Sequence, residues 1–338
     1  MTQADPAPSP DLFLQSVTGY QRTEAIRAAV ELDLFTAVAE GRSDVAALAA
    51  RCAASPKGIR ALCDYLTVAG FLVKNAGGYA LTPSTAKFLD RRSPAYMGTT
   101  IGFLLSEHVR GGYANLLAAV RKGGTVQSAG GLTDPEHPGW VAFAQAMMPM
   151  MAPVAHLAAQ LIARPLDAEL KVLDIAAGHG LYGIEVGKRF SRASVTGLDW
   201  PRVLEVAQEN ARQAGLGQRY RVIPGDAFQV DLGSGYDVVL VPNFLHHFGF
   251  EACVRFLRRV HAALKPDGIA VTIEFVPNED RVSPPFPANF ALSMLALTAE
   301  GDAYTFAQLD DMLKQAGFSR NALSPLAPTA QHALVSAK

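Results

Sequence analysis

The chain has 338 residues, 49% of them hydrophobic, and its formal net charge at pH 7 is −1. This length and apolar content suffice for two domains with buried cores, and a near-neutral charge argues against nucleic acid or an anionic membrane as a partner. Three scattered cysteines, Cys52, Cys63 and Cys253, have no metal-ligand spacing and indicate reduced thiols. Because we find neither a signal-peptide pattern nor an apolar stretch of about 20 residues, we expect a cytoplasmic protein.

The N-terminal region, residues 11–102, carries the pattern of a winged helix after ten Pro- and Ala-rich residues that we expect to be disordered. Apolar residues recur at helical spacing over residues 14–35, and two further helices are predicted after the N-cap candidates Ser43 or Asp44 and Ser55. The segment 71–83 predicts two short strands around an Asn-Ala-Gly-Gly turn. Helices followed by a hairpin are typical of a winged-helix domain.

Residues 103–168 form a predicted helical connector with a Gly-rich interruption at 123–131. Its methionine-rich run contains Pro149 and Pro153, which we expect to break or kink a helix. Methionines at helical spacing are more often core residues, but their flexible side chains also line adaptable pockets.

From Asp167 onward, predicted strands alternate with helices, and the chain is expected to end in an antiparallel strand at 331–337. Apolar strands between amphipathic helices predict a parallel sheet covered on both faces. The expected fold class is therefore α/β, with a doubly wound Rossmann-like sheet in residues 169–338 and a mostly helical winged-helix domain before it. The predicted parallel strands are 170–176, 193–199, 220–226, 236–242 and 268–275.

A glycine-rich turn, DIAAGHGLYG at 174–183, follows the first of these strands, at the position where α/β sheets bind ligands. Gly178, Gly180 and Gly183 fit the pattern G-x-G-x-x-G, and Asp199 ends the next strand, where a carboxylate suits ribose hydroxyls. Taken alone, this pattern fits NAD as well as S-adenosylmethionine, and it also fits a structural turn without a ligand.

Further residues favour S-adenosylmethionine over NAD. Asp174 lies four residues before Gly178, where a carboxylate would disfavour a pyrophosphate but suits an ammonium and a sulfonium. After the third strand, Asp226 is placed to accept from the adenine amino group, with Phe228 beside the ring. Two histidines follow the fourth strand, where a dehydrogenase would not need them.

Over nearly its whole length, these motifs resemble the small-molecule O-methyltransferase family. In that family a winged-helix dimerisation domain precedes a class I S-adenosylmethionine-dependent methyltransferase domain. VLDIAAGHG resembles its glycine motif, with Ala176 and Ala177 where glycines are usual, and LDWP resembles its ribose motif. GDAF resembles its adenine motif at Asp226 and Ala227, and LVPNFLHHF its catalytic segment at His246. The resemblance implies an S-adenosylmethionine-dependent enzyme, a small-molecule acceptor and a homodimer.

The resemblance implies that His246 is the general base. A phenol or enol oxygen is a weak nucleophile until it is deprotonated, and histidine is the side chain that titrates near neutrality. Glu274 resembles the family glutamate that orients this base. The alternatives are a buried or helix-capping histidine pair and a solvated strand-end glutamate.

Two departures from the family pattern affect this assignment. His247 stands where the family often has an acidic residue, and Ala303 replaces a further family glutamate. They leave open methylation at carbon or nitrogen by an enzyme that relies on positioning.

A winged helix also raises the alternative of a DNA-binding regulator, and a catalytically silent cofactor-binding protein is another. The second of its helices carries only Lys57 and Arg60 beside Asp64, whereas DNA-reading helices are denser in donors. We therefore expect an enzyme with a largely apolar pocket for a flat aromatic or polyketide-like acceptor. The expected pocket residues are Phe103, Phe143, Met147, Met151, Phe290 and Met294. The expected cofactor contacts are Asp174, Ala176, Gly178, Gly180, Asp199, Asp226, Ala227, Phe228 and the backbone near Asn243.

Overall fold

The computed structural model describes residues 8–127 and 139–338 and divides into two compact units after Ile101. The expected N-terminal disorder falls mostly on residues 1–7, which lie outside the described residues. Part of the Gly-rich interruption predicted at 123–131 lies outside them as well.

The first unit consists of short helices and one hairpin, as a winged helix requires. Of the two cap candidates for the second predicted helix, Asp44 caps it, because its carboxylate accepts from the backbone N–H of Ala47 at 2.8 Å. Ser55 accepts from the N–H of Gly58 at 3.1 Å, so both predicted helices begin at a side-chain cap. The elements are α1 (Asp11–Val17), α2 (Gly19–Glu31), α3 (Leu34–Ala39), α4 (Val45–Arg51), α5 (Pro56–Val68), β1 (Leu72–Asn75), β2 (Gly78–Leu81) and α6 (Pro83–Phe88).

The second unit begins with helices that precede its sheet. The methionine-rich run is bent by 66° between two helices, at Met147. Pro149 lies in the first turn of the second helix, where a missing N–H costs no hydrogen bond, and Pro153 lies inside it. The helices are α7 (Ile101–Leu104), α8 (Glu107–Ala114), α9 (Leu116–Lys122), α10 (Gly139–Ala146) and α11 (Met148–Gln160).

Within the described residues, no single helix is long and apolar enough to cross a bilayer. The bent pair of α10 and α11 meets the length and composition requirement only when its two helices are taken together.

A seven-stranded sheet forms the centre of the second unit, in the order β5-β4-β3-β6-β7-β9-β8. The first five strands along the chain are parallel, and β9 pairs antiparallel with both β7 and β8. The strands are β3 (Lys171–Ile175), β4 (Ser194–Asp199), β5 (Tyr220–Pro224), β6 (Tyr236–Pro242), β7 (Leu264–Glu274), β8 (Arg320–Pro325) and β9 (His332–Ala337). The helices among them are α12 (Leu181–Arg189), α13 (Pro201–Gln213), α14 (Phe250–Ala263), α15 (Pro285–Leu297) and α16 (Phe306–Ala316).

Alternate residues of the central strands enter two separate cores. Leu173 and Ile175 of β3 pack with α14 and α16, whereas Val172 packs with α11, α12 and α13. Helices therefore cover both faces, and the predicted doubly wound α/β fold with a helical N-terminal domain is confirmed. The strand order reverses between β3 and β6, and the carboxyl ends of these two strands are where such sheets bind ligands. Sequence patterns did not predict β8 or α15, and β7 begins four residues earlier than expected.

Candidate active site

A cavity of about 470 Å³ lies at the carboxyl ends of the parallel strands β3 to β7. Part of the wall consists of the turns that follow these strands, and the rest, a helical wall, consists of α7, α8, α10, α11 and α15. The helical wall is almost entirely aromatic and aliphatic. It contains every residue predicted for the acceptor pocket, namely Phe103, Phe143, Met147, Met151, Phe290 and Met294.

Beside the glycine turn, the half-buried carboxylate of Asp199 lies at the cavity wall. The backbone N–H groups of Gly178 and Trp200 donate to the two carboxylate oxygens of Asp199, at 2.8 and 2.7 Å. Burial raises the pKa of Asp199 to about 6, although these two amides favour its charged form. Ala176, which stands where the family has a glycine, has φ +49°, a conformation that costs a non-glycine residue about 1–2 kcal/mol. The turn therefore keeps its glycine-type conformation in spite of the alanine.

Two of the residues predicted to contact the cofactor do not line the cavity. Asp174 is fully buried, and its carboxylate accepts from the backbone N–H of Gly183 at 2.9 Å, near the start of α12. Burial raises the pKa of Asp174 to about 8. At Gly180, an added Cβ would lie 3.0–3.2 Å from Tyr220 and Ala207, so this glycine permits close packing of the turn. The structure thus gives both residues a place in the support of the turn.

The predicted adenine end of the cavity is lined by Asp226, Ala227 and Phe228. The carboxylate of Asp226 accepts from the N–H of Phe228 at 2.9 Å and from the side chain of Gln229 at 2.7 Å. The ring of Phe228 lies 4.8–5.9 Å from three other phenylalanine rings, so an aromatic cluster supports this wall.

Asn243 lies in the wall at the end of β6, with φ +52°. Its side-chain N–H donates to the hydroxyl of Tyr182 at 3.0 Å, and its carbonyl oxygen accepts from Gln331. Hydrogen bonds on both sides of this amide hold the turn that leads to the histidines.

His246 and Glu274 form a buried pair at the centre of the site. The ring Nδ1 of His246 lies 2.5 Å from Oε2 of Glu274, and the two residues are only 6% and 3% exposed. The other carboxylate oxygen accepts from the backbone N–H groups of Phe244 and Leu245, at 3.1 and 2.9 Å. A carboxylate can only accept, so Nδ1 donates, and the lone pair of the neutral ring lies on Nε2. His246 lines the cavity, whereas Glu274 lies behind it.

His247 also lines the cavity, with its ring centroid 4.3 Å from that of His246 and 5.7 Å from that of Trp140. Burial, followed by the neighbouring His246, holds the pKa of His247 well below its usual range. His247 is therefore a neutral ring beside the first histidine. Ala303 is buried, and in the described part of the chain Glu274 is the carboxylate that bonds His246.

Sequence reasoning missed several wall residues, including His179, Tyr182 and Trp200. His179 and Tyr182 lie inside the glycine turn, and Trp200 directly follows Asp199, so adjacency to the motifs was a usable signal. Ser293 of α15 also lines the cavity, directly before the predicted pocket residue Met294.

Comparisons with known proteins match both units. The profile of the O-methyltransferase domain matches residues 136–319, and that of the O-methyltransferase dimerisation domain matches residues 14–91. An 8-O-methyltransferase of tetracenomycin polyketide synthesis from Streptomyces glaucescens is 29% identical, with 92% of this chain and 91% of the relative aligned. A 3-hydroxy-5-methyl-1-naphthoate 3-O-methyltransferase from Streptomyces sahachiroi is 27% identical over 92% of this chain and 90% of its own.

Solved structures share the whole fold. A candidate O-methyltransferase from Nostoc punctiforme superposes with a TM-score of 0.95 at 50% identity, over 98% of this chain and 100% of its own. Human N-acetylserotonin methyltransferase, solved in complex with S-adenosylmethionine, superposes with a TM-score of 0.85 over 100% of this chain and 99% of its own. At 23% identity, the human protein supports the fold alone.

Proposed function

Because the chain belongs to the O-methyltransferase family and is therefore an S-adenosylmethionine-dependent methyltransferase, we propose its reaction in more detail. It transfers the methyl group to a hydroxyl of a small, flat, largely apolar metabolite, with His246 as general base. The observation that carries this proposal is the buried hydrogen bond between His246 and Glu274 at the cavity wall. That bond directs the basic nitrogen of the ring away from the carboxylate and leaves it available to an acceptor.

The wall residues fit the cofactor chemically. Asp199 is a half-buried carboxylate that suits a pair of ribose hydroxyls, and Asp226 is an acceptor suited to the adenine amino group. Phe228 and Trp200 offer aromatic faces to the adenine ring. Ala176, with its left-handed backbone, brings main-chain atoms to the wall at the centre of the turn. When bound, S-adenosylmethionine supplies an electrophilic methyl group on a sulfonium.

The chain's own residues then handle the acceptor proton. With cofactor and acceptor bound, His246 would accept the hydroxyl proton at Nε2 as the acceptor oxygen takes the methyl group from the sulfonium. Glu274 stabilises the imidazolium through Nδ1–H, and the amides of Phe244 and Leu245 hold its carboxylate in place. General-base catalysis of this kind contributes about 10²–10⁴ in rate. Alignment of the acceptor in the cavity supplies a further part.

The acceptor compartment favours an apolar aromatic ring system. Phe290 meets His246 edge to face, with ring centroids 4.9 Å apart, and its centroid lies 4.5 Å from that of Phe275 at an interplanar angle of 42°, so aromatic rings lie beside His246. Methionines of α11 also line the cavity, and their flexible side chains adapt to different ring shapes. The relatives named above act, by their names, on a polyketide and a hydroxynaphthoate, which supports the same chemical class here.

A homodimer is part of the proposal. Residues 14–91 match a dimerisation domain, and α1 exposes Leu12, Phe13 and Val17 at 79%, 67% and 51%. An exposed apolar helix face of this kind is typical of a protein–protein interface. Size-exclusion chromatography with light scattering tests it, and a monomer at micromolar concentration would contradict it.

Methyl transfer to a panel of neutral hydroxylated naphthalenes and anthraquinones tests the reaction, with the position of the new methyl group read by NMR. We expect an O-methyl product. In addition, His246→Gln should lose about 10²–10⁴ in turnover with unchanged affinity for S-adenosylhomocysteine. Asp199→Asn, by contrast, should weaken the affinity for S-adenosylhomocysteine. Full turnover by His246→Gln would refute the role of His246 as the base, and a C-methyl product would refute oxygen as the acceptor.

A further inference from the structure

His179, inside the glycine turn, presents a fixed hydrogen-bond donor to the cavity. It lines the wall, is 4% exposed, and its Nδ1 accepts from the backbone N–H of Leu181 at 3.2 Å. We propose that its Nε2–H binds the carboxylate of the cofactor's amino-acid tail. This inference rests on the S-adenosylmethionine dependence of the enzyme and names a cofactor-binding residue beyond the ribose and adenine contacts.

The tautomer of His179 follows from its partner. A backbone N–H can only donate, so Nδ1 of His179 carries no proton, and the neutral ring must carry its hydrogen on Nε2. Burial lowers the pKa of His179 to about 4, so the ring stays neutral near pH 7. Among the described residues none accepts a hydrogen bond from Nε2, and Nε2 is not among the buried polar atoms that lack a partner, so this N–H is open to the cavity. A hydrogen bond from such a donor to a charged group is stronger than one to a neutral group, so a carboxylate suits this position.

The charges of the cavity wall leave few other places for a carboxylate. Among the described residues of the wall there is no lysine or arginine, so neutral donors must hold an anionic group. Asp199 and Asp226 are acceptors that suit hydroxyl and amino groups and would repel a carboxylate. His179 directly follows Gly178, whose N–H donates to Asp199, the carboxylate proposed to bind the ribose. It thus lies on the turn next to the ribose contact, as a partner for the amino-acid tail should.

The start of α12 strengthens this donor. The first N–H groups of a helix carry a partial positive charge. Here the N–H of Gly183 is taken up by Asp174, and that of Leu181 by the inner nitrogen of His179. Hydrogen bonds in series polarise one another. The main-chain N–H groups of Leu181 and Gly183 are already bound and do not reach the cavity. The imidazole of His179 therefore extends the positive potential of the helix start to the cavity.

Neighbouring side chains hold the imidazole in place. Tyr182 lies nearly parallel to it, with ring centroids 6.0 Å apart and an interplanar angle of 27°. Asn210 donates from its side chain to the carbonyl oxygen of His179 at 2.8 Å, which fixes the backbone of the turn. The donor is therefore preorganised before the ligand binds.

Calorimetry with three ligands tests the proposal. S-adenosylhomocysteine carries the carboxylate, S-adenosyl-3-thiopropylamine lacks only the carboxylate, and 5′-methylthioadenosine lacks the whole amino-acid group. We expect His179→Phe to weaken the binding of S-adenosylhomocysteine by about 10- to 100-fold, because a hydrogen bond to a charged group is lost. The other two ligands should bind within about twofold of their affinity for the unmodified protein.

Two amide variants refine the comparison. A glutamine side chain places its terminal donor near the position of Nε2, whereas an asparagine reaches only the position of Nδ1. We therefore expect His179→Gln to keep most of the affinity for S-adenosylhomocysteine and His179→Asn to lose it. This order would be absent if the residue only shaped the turn.

Three results would overturn the proposal. Equal weakening of all three ligands would assign His179 a structural role in the turn. Undiminished binding of S-adenosylhomocysteine by His179→Phe would mean that the carboxylate is held elsewhere. Failure of the unmodified protein to bind S-adenosylhomocysteine would remove the cofactor itself and with it the proposed function, and this result is distinct from the other two.

Discussion

Replacing Glu274 with glutamine should reverse the hydrogen-bond polarity at His246 with little change in shape. One oxygen of the new side chain can still accept from the N–H groups of Phe244 and Leu245, which now lie at 3.1 and 2.9 Å. Its NH₂ group would then face Nδ1 of His246 and can only donate. The ring must shift its hydrogen to Nε2, so the nitrogen that serves the cavity changes from an acceptor to a donor.

The expected loss follows from that change of tautomer. General-base catalysis contributes about 10²–10⁴ in rate, which corresponds to about 3–5 kcal/mol of activation free energy. Because Glu274 does not line the cavity, affinity for S-adenosylhomocysteine should remain unchanged. Calorimetry of the variant with that ligand is the control for an intact site.

Single-turnover methyl transfer to a series of phenols of decreasing pKa provides the assay. The loss in Glu274→Gln should be largest for weakly acidic phenols and should vanish for phenols that are already ionised, since these need no base. An equal loss for every acceptor would point to a distorted site. Wild-type rates with weakly acidic phenols would refute the reasoning altogether.

Three further predictions concern cofactor binding and stability. Because burial raises the pKa of Asp199 to about 6, affinity for S-adenosylhomocysteine should fall as the pH is lowered through 6; calorimetry of Asp199→Asn should show no such fall. Burial raises the pKa of Asp174 to about 8, so its carboxyl group binds a proton more tightly in the folded state than in the unfolded state. The free energy of unfolding should therefore decline as the pH rises from about 4 to about 8. Urea unfolding should show a smaller decline for Asp174→Asn, and an identical decline would contradict the assignment. Ser55→Ala removes the cap on Gly58 and should cost about 1 kcal/mol in urea unfolding, whereas a change below about 0.3 kcal/mol would contradict it.

Features set by local spacing were predictable from the sequence. Asp199 and Asp226 each follow a strand of recognisable apolar pattern, and the structure brings both to one cavity. The cap residues Asp44 and Ser55 also act within three residues of their own position. Parallel strands align their carboxyl ends, so motifs that are distant in the chain meet at one edge of the sheet.

Side-chain direction was harder to predict. Asp174 lies close to the ligand-binding turn in the sequence, but strand residues alternate between the two faces. Its neighbours Leu173 and Ile175 enter the core under α14 and α16, so Asp174 points to the opposite face and meets Gly183. The tautomer of His179 depends on an amide that only the folded turn brings near. Neither arrangement has a signature in the spacing of residues.

The two walls of the cavity have separate origins in the chain, and this separation bears on how the protein evolves. His246 and Glu274 are held from behind by β7 and by main-chain amides, whereas the helical wall consists of side chains of α7, α8, α10, α11 and α15. Under the proposed function, mutations that reshape the helical wall need not disturb the pair of His246 and Glu274. A lineage with this fold is therefore free to exchange one acceptor for another through single aromatic or methionine substitutions, while the machinery for methyl transfer is inherited unchanged.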